Sequence, residues 1–182
     1  TADNNIAVGR NTMAANTTGT RNIAIGTTAY TASDTENDNI AIGYAAMTTD
    51  TAGGTGNLAI GNYALDALTS GDNNVAVGHD ALTANTTALS NTAFGHTALA
   101  STVSGGYNTA VGYEALNQNL AAENTAVGVY ALKANTTGTR NIAIGHGAYT
   151  GSDTENDNLA IGYNAMTTNT AGGNSNTAIG NY

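Results

Sequence analysis

The 182-residue chain has no cysteine, no proline, no tryptophan and a single phenylalanine, and it sets four lysines and arginines against thirteen aspartates and glutamates. Each shortage excludes something. Without cysteine there is no thiol nucleophile, and similar segments cannot mispair through disulfides in an oxidising exterior. The four basic residues (Arg10, Arg21, Lys133 and Arg140) leave little positive charge with which to displace counterions from a phosphate backbone, so nucleic acid is excluded as a partner. No apolar run approaches the ~18 residues of a membrane-spanning helix, and no basic start leads into a hydrophobic stretch as in a signal peptide. Charged residues make up 9% of the chain, far below the usual quarter or so. What remains is rich in Gly, Ala, Thr and Asn. Such side chains cannot fill a broad globular core, but they let layers of backbone stack closely.

What is present is one phrase, written eleven times. Its clearest copy is NIAIG at Asn22 to Gly26, and the copies begin at Asn5, Asn22, Asn39, Asn57, Asn74, Asn91, Asn108, Asn124, Asn141, Asn158 and Asn176. The step is 17 residues, with excursions only to 16 and 18. A fixed period this short is the mark of a solenoid or fibre, in which each repeat packs mainly on its neighbours. The expectation is an all-β chain: a parallel β-solenoid (β-roll or β-helix) of about 17-residue rungs, forming one continuous array over residues 1–182, with the stretch expected to be a window on a longer fibre.

The repeat reads N-x-A-φ-G-x-x-A-φ followed by about eight polar residues. The first φ position is always apolar and mostly β-branched (Val8, Ile25, Ile42, Ile60 and on to Ile179), which is a strand signature. The x position two residues before it shares its face, since side chains alternate along a strand. This face is expected to be buried and to fill the rung, with Asn, Ala and Gly on the other side. The middle Ala is present in all eleven copies, which suggests a close approach by another backbone. The later Ala-φ pair, such as Ala64-Leu65 or Ala98-Leu99, is expected to form a second short strand or corner. Asn, Thr and Gly in the linking segments supply turn chemistry. An amphipathic helix is excluded, because apolar residues do not recur at three and four.

A longer period overlies the first. Residues 20–57 recur, little changed, as residues 139–176, a shift of 119 residues or seven rungs. Lengthening by blocks gives a stalk reach and an enzyme nothing. The N-x-A-[IV]-G core followed by x-x-A resembles the YadA-like head repeats of trimeric autotransporter adhesins, whose unit reads close to NSVAIGxxS. The fuller form NTAVGYEALNQN at Asn108 to Asn119, with the NTTG turns, looks like the repeats of phage-type and bacterial tail-fibre proteins. The resemblance implies a parallel β-roll assembled as a homotrimer or higher filament, outside the cell at a bacterial or virion surface, presenting binding sites to a host or surface receptor. The unit departs from the adhesin pattern in its length and in Thr92, Thr109, Thr125 and Thr177 at the x position.

Candidate sites are few. The column of eleven asparagines just named is expected to be a structural ladder, with amides one rung apart (~4.8 Å) bonded along the axis. DTEND at Asp34 to Asp38, repeated at Asp153 to Asp157, sets acids at alternate positions. Asp34, Glu36 and Asp38 are its calcium candidates, though the glycine turn and distant Glu of a calcium loop are missing, and a solvated acidic loop is the better reading. His79, His96 and His146 follow the motif glycine. His79 and His96 lie on adjacent rungs and should stack, but a slot that also takes Val129 and Thr27 reads as a tolerant surface lining. No catalytic constellation and no cofactor signature is evident. The function expected is therefore structural and adhesive. Two alternatives stand beside it: an ice-binding solenoid, whose Thr columns are broken here at Asp34-Thr35 and Leu120-Ala121, and a left-handed β-helix acyltransferase using His79 or His96.

Overall fold

Each rung opens on its asparagine and runs straight into a three-residue strand. In the computed structural model, which describes residues 2–50, 53–151, 154–167 and 173–182, eleven such strands run from β1 (Ile6–Val8) through β6 (Thr92–Phe94) to β11 (Thr177–Ile179). They form a single parallel sheet in chain order. The register is motif on motif, Ala7 beside Ala24 at one end and Ala160 beside Ala178 at the other. The fold is a parallel β-solenoid of about 17-residue rungs. Alternation of β-branched residues around a small one explains the strands, and the glycine that follows explains why they stop.

Gly43 and Gly61 show why. Their φ angles are +140° and +135°, outside the range of L side chains, and a Cβ on Gly43 would collide with the carbonyl oxygen of Gly61 stacked on the next rung. The chain turns sharply there and twice more takes left-handed conformation, at the second and fourth residues after the glycine. Leu65, Leu82, Leu99, Leu116 and Leu132 all sit at φ between 49° and 53°. A left-handed bulky residue costs roughly 1–2 kcal/mol, and here it recurs rung after rung. The stack supplies the compensation: Leu65 N–H donates to the Ala81 carbonyl (3.1 Å) and Leu82 N–H to that of Ala98 (3.1 Å), so the turns are hydrogen-bonded between rungs as the strands are. The expected second strand is therefore a stacked left-handed corner.

The core inverts the expectation about faces. From Ala24 to Ala160 the strand-centre alanines are fully buried, with corner alanines and Leu, Met or Tyr of the Ala-φ pair. The flanking aliphatics that were expected to fill the rung point outward instead. Ile25, Ile144 and Phe94 are 39%, 40% and 56% exposed. The space enclosed by one 17-residue turn holds a strand methyl, a corner methyl and one larger side chain, so the small face must be the inner one. The alanine's close neighbours accordingly belong to its own chain.

Candidate interaction surfaces and the interior columns

Two columns of side chains run the length of the sheet on its outer side. One contains Ile23, Ile40, Leu58 and Val75, and the other Ile25, Ile42, Ile60 and Val77. All are half-buried or exposed. Eleven strands at ~4.8 Å and three residues of width make this face about 50 by 10 Å, or ~500 Å². That lies at the upper end of what a monomeric soluble protein exposes in one apolar patch. Only threonines, such as Thr92, Thr109 and Thr125, interrupt it, and no charged residue stands in either column.

Beside this face stands a column of rings. It runs Tyr44, Tyr63, His79, His96, Tyr113, Tyr130, His146, Tyr163, Tyr182, with neighbouring centroids 5.3 to 6.0 Å apart. His79 and His96 lie parallel, 10° between planes. Six of the nine tyrosines and all three histidines of the chain are in it. The slot after the glycine is not simply tolerant, as its non-aromatic members suggested. Where it holds Asn62, Val129 or Asn181, the next residue is a tyrosine (Tyr63, Tyr130, Tyr182) that restores the column. The signal was in the sequence, but only a register one residue wide of the template reveals it. Lys133 lies 4.8 Å over the Tyr130 ring and pairs with Glu114 at 2.5 Å.

The asparagine column lies inside. At all ten steps the Oδ1 of one rung accepts the backbone N–H of the next rung's asparagine, at 2.8 to 3.0 Å, from Asn5 with Asn22 to Asn158 with Asn176. The Nδ2 closes the rung: Asn22 donates to the Glu36 carbonyl (2.7 Å), Asn57 to Gly71 (2.8 Å) and Asn91 to Gly105 (2.9 Å). Amide-to-amide bonds, the form expected, are secondary and longer, as in Asn108 to Asn91 at 3.1 Å. From Asn22 to Asn158 the side chains are buried. A carboxamide is required because one end must accept and the other donate.

A second interior column, which the repeat pattern does not reveal, stands eleven residues after each asparagine from Asn22 to Asn124: Ser33, Asp50, Leu68, Asn85, Thr102, Asn119 and Asn135, every one fully buried. Its members close the corners. Asn85 Oδ1 accepts the Ala88 N–H (2.9 Å), Thr102 Oγ1 donates to the Asn119 carbonyl (2.8 Å), and Asn135 Nδ2 donates to Asn119 Oδ1 (2.7 Å).

The three acids of DTEND do not converge on a cation. Asp34 is exposed and takes the Thr17 hydroxyl, while Asp38 is exposed and holds the Arg21 guanidinium through both oxygens, at 2.6 and 2.7 Å. That guanidinium keeps the Asp38 carboxyl below its ordinary range. Glu36 alternates inward and is buried. Its Oε2 accepts from the Ser33 hydroxyl (2.9 Å) and the Asp34 and Thr35 amides (2.8 and 3.0 Å), and its Oε1 from the Gly53 amide (3.1 Å). Burial pushes that carboxyl up, but these donors outweigh it and hold it below the ordinary value. The calcium candidates are thus a turn-bracing carboxylate between two surface acids. In the second copy Glu155 is again buried and Asp157 pairs with Arg140, while Asp153 lies outside the described residues. Comparison of the chain with protein-family models, with curated proteins and with solved structures finds no match.

Proposed function

We propose that this chain is a shaft segment of an extracellular fibre, a homotrimer whose protomers pack their apolar sheet faces against one another and whose outer sides are available to a host or surface receptor. The observation that carries the reading is the double aliphatic column left outside by a core built from alanine. Burying ~500 Å² of apolar surface per chain would contribute about 12 kcal/mol before the costs of association are set against it. The occupant that fits is another copy of the same chain. A parallel copy offers ridges at the same rung spacing over the whole length, so one register satisfies every rung at once. Self-matching by symmetry is also the commonest route to an assembly. The number three comes from the likeness of the N-x-A-φ-G repeat to trimeric adhesin and tail-fibre repeats, as does the placement at a cell or virion surface. A stalk role agrees with the block duplication, which adds length without adding chemistry.

Light scattering coupled to size exclusion tests this. The expected mass is three times that of the 18.1-kDa chain, with Ile42→Asp and Ile60→Asp together giving a folded monomer. A wild-type chain that stays monomeric at tens of micromolar overturns the reading.

A further inference from the structure

The corner column contains one member that its neighbours do not explain. Ser33, Asn85, Thr102, Asn119 and Asn135 each have hydrogen-bond partners. Asp50 is fully buried, yet neither of its carboxyl oxygens has a donor in hydrogen-bonding geometry, although the Tyr30 hydroxyl and the Gly54 backbone lie next to it. The charges that act on it are Glu36 from the rung before and Asp72 from the rung after, and neither is a cation. Glu36 is already held in the ionised form by its ring of donors. A second unpaired carboxylate beside it in a closed interior is strongly disfavoured. Tyr30 Oη accepts from the Asn39 Nδ2 at 2.5 Å, and its own O–H, next to Asp50, offsets the effect of burial only in part. The duplicated block carries Asn169 where Asp50 stands, a neutral residue of the same shape.

We propose that Asp50 is a proton-binding switch inside the shaft: with its proton it takes the place of the asparagine found elsewhere in this column, and on losing the proton it loosens the corner closed by Gly53 and Gly54. Those two glycines tie this corner to its surroundings, Gly53 N–H donating to Glu36 Oε1 (3.1 Å) and the Gly54 carbonyl accepting from Asn39 Nδ2 (2.8 Å). Burial, and after it the charge of Glu36, push the Asp50 carboxyl up to about 7. The unfolded chain has it near 3.9. Because the folded state binds the proton more tightly, stability is complete below about pH 4, falls as the pH rises towards 7, and is level above that. The closing equilibrium changes by up to about a thousandfold across that window.

Amide exchange at Gly53 and Gly54, with thermal melts of the full chain from pH 5 to pH 9, tests the switch. Wild type should lose amide protection, taken relative to intrinsic exchange at each pH, and melt lower as the pH rises, while the protection and melting temperature of Asp50→Asn should be flat over the same range and its stability higher at pH 9. Equal pH slopes for wild type and Asp50→Asn overturn the proposal. So does recovery of the wild type at pH 9 by millimolar calcium, which would make Asp50 a cation ligand. If Asp50→Asn does not fold, Asp50→Ser, which imitates Ser33, carries the same comparison. A carbonyl stretch of a protonated carboxylic acid, present in the infrared spectrum of the wild type at pH 5 and missing from the variant, reads the proton directly.

Discussion

Replacing Asn91 by alanine should cost the solenoid about 3–4 kcal/mol, chiefly because it leaves polar backbone groups buried without a hydrogen-bond partner. Asn91 sits in mid-array, fully buried. Its Oδ1 is the acceptor for the Asn108 backbone N–H at 2.9 Å, and its Nδ2 donates to the Gly105 carbonyl at 2.9 Å. Truncation strands the Asn108 N–H in a region closed to water, at roughly 1–3 kcal/mol. The Gly105 carbonyl is only half deprived, because it also accepts from Asn108 Nδ2 at 3.2 Å, so its share is nearer 1 kcal/mol. The void left by the amide adds to this. Asn91→Asp separates the two halves of the argument: it keeps the acceptor, removes the donor and turns a carboxyl oxygen towards the Gly105 carbonyl. It should be at least as destabilising at neutral pH and partly relieved in acid. The measurement is the denaturant midpoint of each variant beside Gln118→Ala, an exposed site where a change within about 0.5 kcal/mol is expected. An Asn91→Ala loss no larger than that of Gln118→Ala would refute the ladder as a source of stability.

Gly61→Ala places a Cβ against the Gly78 carbonyl at φ +135°, and with both strain and collision it should cost more than about 2 kcal/mol, read as a lower midpoint. Arg21→Ala breaks a two-point ion pair with Asp38 that stands in water, so the denaturant midpoint should stay close to that of the wild type and the small difference should shrink further in high salt. Leu99→Ala empties a fully buried corner position and should cost about 2–5 kcal/mol, with the spread set by how far neighbouring rungs close in.

The periodicity carried most of the architecture. Eleven copies of N-x-A-φ-G put every strand where it is observed, from Ile6–Val8 to Thr177–Ile179, because a three-residue alternation ended by glycine has one local solution. The asparagine positions were equally plain, but not the form of their bonding, since nothing in a run of asparagines says that the acceptor end would meet a backbone amide. The corner column was hidden because Ser33, Asp50, Leu68 and Asn85 share a place without sharing a chemistry. The ring column was hidden because Tyr63 and Tyr130 stand one residue off the template.

By itself the sequence determined the rung length, the parallel in-register order and the glycine at which each strand must end, all consequences of a repeat that stacks on itself. Only the tertiary structure decided which side of the strand is inside. Alternation makes the two faces distinguishable without saying which is enclosed, and the usual rule that larger apolar groups go inward fails when a 17-residue turn encloses so little space. The alanines take the interior, and the isoleucines and valines remain outside. Burial of Asp50 was likewise decided by closure of the rung, which brings it beside Glu36, fourteen residues back in the chain, and away from water.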